Sequence, residues 1–151
     1  MSANSRLTMA VHCLCWLELA RRRGRTPLTS EEVAASLATN PVVVRRLLGE
    51  LRRAGLVTAS RGPGAGWSMT RPVEDVTMLD VHRALGEGPP FALHRNEPNQ
   101  ECPVGRGVRP ALGEIYAGVD AALERELAAH TIEQVLESTL IASNSTSTPI
   151  E

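Results

Sequence analysis

The chain has 151 residues, 42% of them hydrophobic, enough for one core with an appendage and too little for a two-domain enzyme. One Phe, one Tyr and two Trp leave few wide anchors for a sheet core, so an aliphatic, mainly α protein is expected. The net charge of −1 conceals an asymmetry: residues 1–71 hold eleven Arg against four Glu, whereas residues 72–151 hold five Arg against thirteen acids. A basic half joined to an acidic half is the footprint of a nucleic-acid-binding module carrying a second module, although two oppositely charged solvated faces would give the same numbers.

All sixteen cations are arginines, whose guanidinium can fork onto phosphate or guanine. Three cysteines, Cys13, Cys15 and Cys102, form no disulfide framework, which points to a reducing compartment. Met1 to Arg6 lacks a charged segment leading into an apolar one, and Thr8, His12 and Glu18 interrupt the apolar stretch that follows. Neither secretion nor membrane spanning is expected, and the cytoplasm is the expected location.

In chain order, Leu7, Ala10, Val11, Leu14, Leu17 and Ala20 recur at helical spacing and predict a helix to about Arg22, closed by Gly24. Thr29 with Glu32 predicts a capping box opening a second helix. Asn40-Pro41 predicts a third, with Val44, Leu47, Leu48 and Leu51 as its buried stripe and Gly55 as its stop. Leu56–Ser60 and Trp67–Thr70 read as the strands of a small β-hairpin around a glycine-rich tip. Thr77–Leu85 reads as a short helix, residues 87–107 as an irregular loop, and Arg109 to about Ala129 as a long helix with Pro110 in its first turn. Thr131 with Gln134 caps a last helix to about Ile141, and Ala142 to Glu151 is expected to be disordered.

With the leucine stripe turned inward, about 100° per residue puts Val42, Arg46, Gly49 and Arg53 on the opposite face of the third helix. One helix of that shape fits the major groove of B-form DNA. Asn40, Val42, Val43 and Arg46 are the candidate base contacts, and Arg45, Arg52 and Arg53 the candidate phosphate clamps. Thr29 and Ser30 at the start of the second helix join the candidate DNA-contact set. In the hairpin, Ser60, Arg61, Gly62, Gly64 and Gly66 suit entry into a minor groove, where guanidinium meets concentrated negative potential. No Gly-Lys-Ser/Thr follows the glycines, which argues against nucleotide hydrolysis.

The run Leu47 to Val57, with Ser60 to Trp67, resembles the Rrf-two (Rrf2) family of bacterial winged helix-turn-helix transcription regulators. Thr77 to Val81 and Thr131 to Val135 extend the likeness, which covers residues 4 to about 140. The resemblance implies a homodimer held by a long C-terminal helix and bound to a roughly palindromic double-stranded DNA operator, commonly as a repressor. Val108, Leu112, Ile115, Val119, Leu123 and Leu127 are then the candidate dimer interface, because an amphipathic helix of that length needs a partner for its stripe. The implied boundaries are a winged helix-turn-helix domain over 1–74, a linker helix and effector loop over 75–107, dimerisation helices over 108–141 and a tail over 142–151.

Family members with an iron-sulfur cluster carry three cysteines in the loop before the dimer helix, and this loop has Cys102 alone. No cofactor and no metal are therefore expected. Cys13 and Cys15, two apart on a helix, point away from each other and read as packing residues. Cys102-Pro103-Val104-Gly105 resembles the cluster-less branch, in which a lone loop thiol senses oxidants or electrophiles. A thiol just ahead of a helix gains thiolate character from the N-terminal dipole. His94 lies in the same loop and is the second candidate effector residue, set against an ordinary solvated histidine. A winged-helix module that binds protein instead of DNA is the rival reading. A thiol enzyme is a remoter one, since His82 and His94 have no recognisable orienting motif.

Overall fold

A computed structural model describes residues 3–145 and divides them into two units, one drawn from Met1–Glu87 and Ala128–Glu151 and the other from Gly88–Leu127. In the first unit, helix α1 (Ala3–Arg22) is the central element, packed by the two helices that follow it, by the hairpin and by the helices over Met78–Ala84 and Ile132–Ser145. Ala10, Val11, Cys13, Leu14, Cys15, Leu17 and Ala20 are all buried along it, so the apolar contact is wider than one stripe. Cys13 and Cys15 are packing residues, as expected; burial pushes their thiols up to about 12 and about 11, with the nearby Glu133 charge adding to the second. The helix begins ahead of Leu7, where Arg6 pairs with Glu50 and Leu7 packs on the core.

Near the end of α1, Glu18 is only 3% exposed, yet its carboxylate accepts from Arg21 Nε at 2.8 Å and Arg22 Nε at 2.7 Å. The hydrogen bond from Arg21 leads in holding its carboxyl below the usual range, against the opposing pull of burial. Arg22 also pairs with Glu133 of the last helix.

Helix α2 (Ser30–Leu37) opens on the expected capping box: Thr29 Oγ1 accepts from the Glu32 amide at 3.2 Å, and the Glu32 carboxylate accepts from the Thr29 amide at 2.8 Å. Ala38 ends it in the left-handed region at φ +51°, and three residues later α3 (Pro41–Arg53) starts with Asn40 as cap and Pro41 in its first turn. Val44, Leu47, Leu48 and Leu51 are buried, and each fully buried aliphatic side chain of this size contributes about 1.5–3 kcal/mol. That sum fixes the roll of α3 and decides which side chains it leaves outside.

Strands β1 (Val57–Ser60) and β2 (Gly66–Met69) pair antiparallel with Val57 opposite Met69 and Ser60 opposite Gly66. Leu28 adds a bridge to β2, its amide donating to the Trp67 carbonyl at 3.1 Å and its carbonyl accepting from the Trp67 amide at 2.7 Å. Only glycine fits at 66, because a Cβ there would stand 2.5 Å from the Leu28 carbonyl oxygen. A 3₁₀ turn (Val73–Asp75) leads to α4 (Met78–Ala84), capped by Thr77 with Asp80. Thr77 bridges Thr131, which starts α6 (Ile132–Ser145) against the same core. Ile132 and Leu136 of α6 are buried there, so this helix belongs with the first unit and not with the long helix it was grouped with in the sequence reading. It also continues past Ile141 through Ser145, residues expected to be disordered; positions 146–151 lie outside the described residues.

The second unit is the segment 88–102 and most of α5 (Pro103–Ala128). Here the structure corrects the expected helix start: α5 opens at Pro103, so the loop is shorter than 87–107 and Pro110 lies inside the helix. The loop holds the additional turns in place. The Glu97 carboxylate meets Arg109 at 3.0 Å, the Gln100 carbonyl accepts from Arg106 at 3.1 Å, and Phe91 packs on Tyr116 with ring centroids 5.5 Å apart. The Asn99 carbonyl approaches Gly105 so closely that a Cβ would be 2.0 Å from it.

Candidate nucleic-acid interface

The packing of α3 sends its cations outward. Arg45, Arg46, Arg52 and Arg53 are all exposed, Val42 is 55% exposed and Val43 is half-buried. Among the described residues, Arg46, Arg52 and Arg53 have no ion pair, whereas Arg45 is paired with Glu31 of α2. A guanidinium left unpaired on an exposed helix face is an open fork for phosphate or a base edge. Asn40 Oδ1 accepts from the Val42 amide at 2.8 Å. One lone pair of that oxygen is thereby committed to capping α3, while the side-chain amide nitrogen is left to face a base.

In the hairpin, Arg61 is exposed and, among the described residues, has no ion pair; it stands beside Gly62 and Gly64 at φ +83° and +74°. The loop is closed behind it: Ser60 Oγ accepts from the Gly66 amide at 3.1 Å, and the Ala65 amide reaches the Gly62 carbonyl at 3.0 Å. Ser60 and Gly66 therefore shape the tip, with Gly66 pressed against Leu28, while Arg61 projects from it.

Two residues expected at the interface are also engaged within the fold. Ser30 is buried at 6% exposure, and its hydroxyl accepts from Trp67 Nε1 at 3.0 Å, tying the hairpin to the start of α2. Thr29 is engaged in the capping box, which holds the Glu32 carboxyl low chiefly through the Thr29 amide. Sequence reasoning missed this Ser30–Trp67 link and the Glu31–Arg45 pair. A tryptophan directly after the glycine-rich tip was the one local sign of the first.

On the second unit, none of Val108, Leu112, Ile115, Val119, Leu123 and Leu127 is buried, and Ile115 is 60% exposed. Cys102 is exposed immediately ahead of α5, its carbonyl accepting the first helical bond from the Arg106 amide at 3.0 Å. His94 is exposed with Nδ1 2.8 Å from the Asn96 carbonyl, a bond within its own loop. Among the described residues no helix is long and apolar enough to cross a membrane.

The Rrf2 family, described as iron-dependent transcriptional regulators, matches residues 3–138. YwnA of Bacillus subtilis, described as an HTH-type transcriptional regulator, is 38% identical over 135 residues, covering 88% of this chain and 96% of YwnA. A crystal structure described as that of a DNA-binding protein is 34% identical with a TM-score of 0.68, covering 87% of this chain and 98% of that one. The structure of CymR, described as the global cysteine regulator of B. subtilis, shares the fold with a TM-score of 0.62 at 23% identity, covering 91% and 96% of the two chains. Among the described residues no three His, Cys, Asp or Glu side chains gather as a metal site, and two of the three thiols are buried. With α3 and the hairpin placed as a recognition helix and its wing, the chain belongs to the Rrf2 family of winged helix-turn-helix, DNA-binding transcription regulators, which are not enzymes.

Proposed function

We propose that the chain is a cytoplasmic, homodimeric repressor that grips a double-stranded operator with two α3 helices and two wings and loosens when the loop around Cys102 is modified or liganded. The observation that carries the DNA reading is the division of α3 into a buried leucine-valine stripe and an outer face of exposed arginines, of which Arg46, Arg52 and Arg53 have no ion pair among the described residues. Arg46 reads a base edge near the start of the helix, with Asn40, Val42 and Val43 beside it, and Arg52 and Arg53 meet phosphate. Arg45 joins them by exchanging Glu31 for phosphate. Arg61 enters the adjacent minor groove.

The dimer reading is supported by α5, a 26-residue helix with no buried residue. An apolar stripe of that length left in water is what a two-fold related copy would cover. The effector reading is supported by the exposure of Cys102, with His94 in the same loop, and involves no iron and no other bound cofactor.

Gel-shift titration of an operator selected from a randomised duplex library tests the DNA reading. Arg46→Ala should cost about 1–3 kcal/mol, concentrated at one base pair, and Arg61→Ala should weaken binding mostly at A·T-rich flanks. About eight phosphate contacts per dimer give a log–log salt slope near −7. Wild-type affinity in both variants, with weak salt dependence, would instead favour a protein-binding winged helix. Sedimentation of a monomer at assay concentration refutes the dimer, and an unaltered peroxide response in Cys102→Ser refutes sensing by that thiol.

A further inference from the structure

Arg46 and Glu50 stand four residues apart on α3, the spacing at which opposite charges on one helix meet. Glu50 is nevertheless held by another cation. Its carboxylate pairs with Arg6 of α1, and the second terminal nitrogen of Arg6 lies 3.9 Å from Glu87, just beyond α4. Arg6, Val43, Arg46, Leu47 and Glu50 line one hollow of about 200 Å³, so both arginines border the space in which Glu50 sits. Glu50 and Glu87 side chains are only 16% and 11% exposed, and carboxylates so withdrawn from water require a nearby cation.

We propose that Arg6 is a positioning residue for DNA recognition: by occupying Glu50 it keeps the guanidinium of Arg46 unpaired and available to a base edge. The Glu87 carboxylate, 3.9 Å from Arg6, adds a second negative charge beside that guanidinium. The order Arg-then-Glu along a helix makes the weaker of the two intrahelical pairings, so a cation from α1 outcompetes Arg46 for Glu50. Without Arg6, Glu50 draws Arg46 back along its own helix and neutralises the reading group. This inference rests on Arg46 being a base contact.

The test is a double-mutant comparison on the selected operator duplex, with thermal melts to establish folding. Arg6→Gln should lose about 2- to 5-fold in affinity, the range of a partly exposed ion pair, and the loss should fall at the base pair read by Arg46. Arg6→Gln combined with Glu50→Gln should recover wild-type affinity, and Arg6→Lys should retain it. Glu50→Gln alone should bind as wild type, which keeps the test decisive even where Arg6→Gln fails to fold. A double variant as weak as Arg6→Gln, or a salt slope shallower by about 0.9 per site, would mean that Arg6 touches phosphate itself and overturns the proposal. Wild-type affinity in Arg46→Ala refutes the base contact, an outcome separate from the Arg6 comparison.

Discussion

Replacing Gly49 by alanine should move stability and DNA binding in opposite directions. Gly49 lies on the outer side of α3 between the exposed Arg46 and Arg53, and a Cβ built there meets no heavy atom within 4 Å. The folded protein therefore accepts the methyl without strain, and exchanging a helix-interior glycine for alanine is worth about 1 kcal/mol. For a chain of this size the melting temperature should rise by about 3–5 °C, read by circular dichroism. Affinity should fall, because the methyl lies between the helix and the floor of the groove it enters. Forcing one extra methyl into a packed contact costs about 1–3 kcal/mol, or roughly tenfold in affinity at the lower middle of that range. Fluorescence anisotropy at fixed salt measures it. A lower melting temperature would refute the unobstructed helical placement of Gly49, and undiminished affinity would refute the groove-facing orientation of α3.

Two further outcomes test the frame behind the interface. Gly66→Ala should force Leu28 and Trp67 apart; losing their two hydrogen bonds costs about 1–3 kcal/mol, or about 3–15 °C in melting temperature, and DNA affinity should fall with it. A wild-type melt for Gly66→Ala would contradict the close approach. Glu18→Gln should destabilise the protein at neutral pH by about 1–3 kcal/mol, the worth of hydrogen bonds to a charged group. Since folding lowers the Glu18 pKa, that stabilisation is present above the ordinary glutamate value near 4.3 and is lost as pH falls through the folded value. Melts of the two proteins should converge in acid, and a gap that stays constant with pH would remove the ionised carboxylate from the explanation.

Elements defined by neighbours along the chain were legible in advance. The capping box at Thr29, the Asn40-Pro41 start of α3, its buried stripe and the hairpin all follow from contacts spanning a few residues. The candidate site was legible to the same extent: helical periodicity alone turns Arg46 and Arg53 outward. Ser30 misled because a hydroxyl at a helix start looks available until Trp67, 37 residues later, is brought against it. The start of α5 misled for a related reason, since Pro110 favours a later start unless the preceding loop docks on the added turns.

The amino-acid order by itself determined the helices, the wing, the family and the outward cations of α3, because capping, period and glycine placement act over one or two turns. Tertiary structure alone decided which of the exposed-looking groups are engaged. It committed Ser30 to Trp67, pressed Gly66 onto Leu28, placed α6 in the first core and gave Glu50 to Arg6 across 44 residues of chain. Hydrophobic periodicity reports which side of an element is buried, but a hydrogen bond or ion pair depends on the distance between two particular side chains, and that distance is set only when the elements pack.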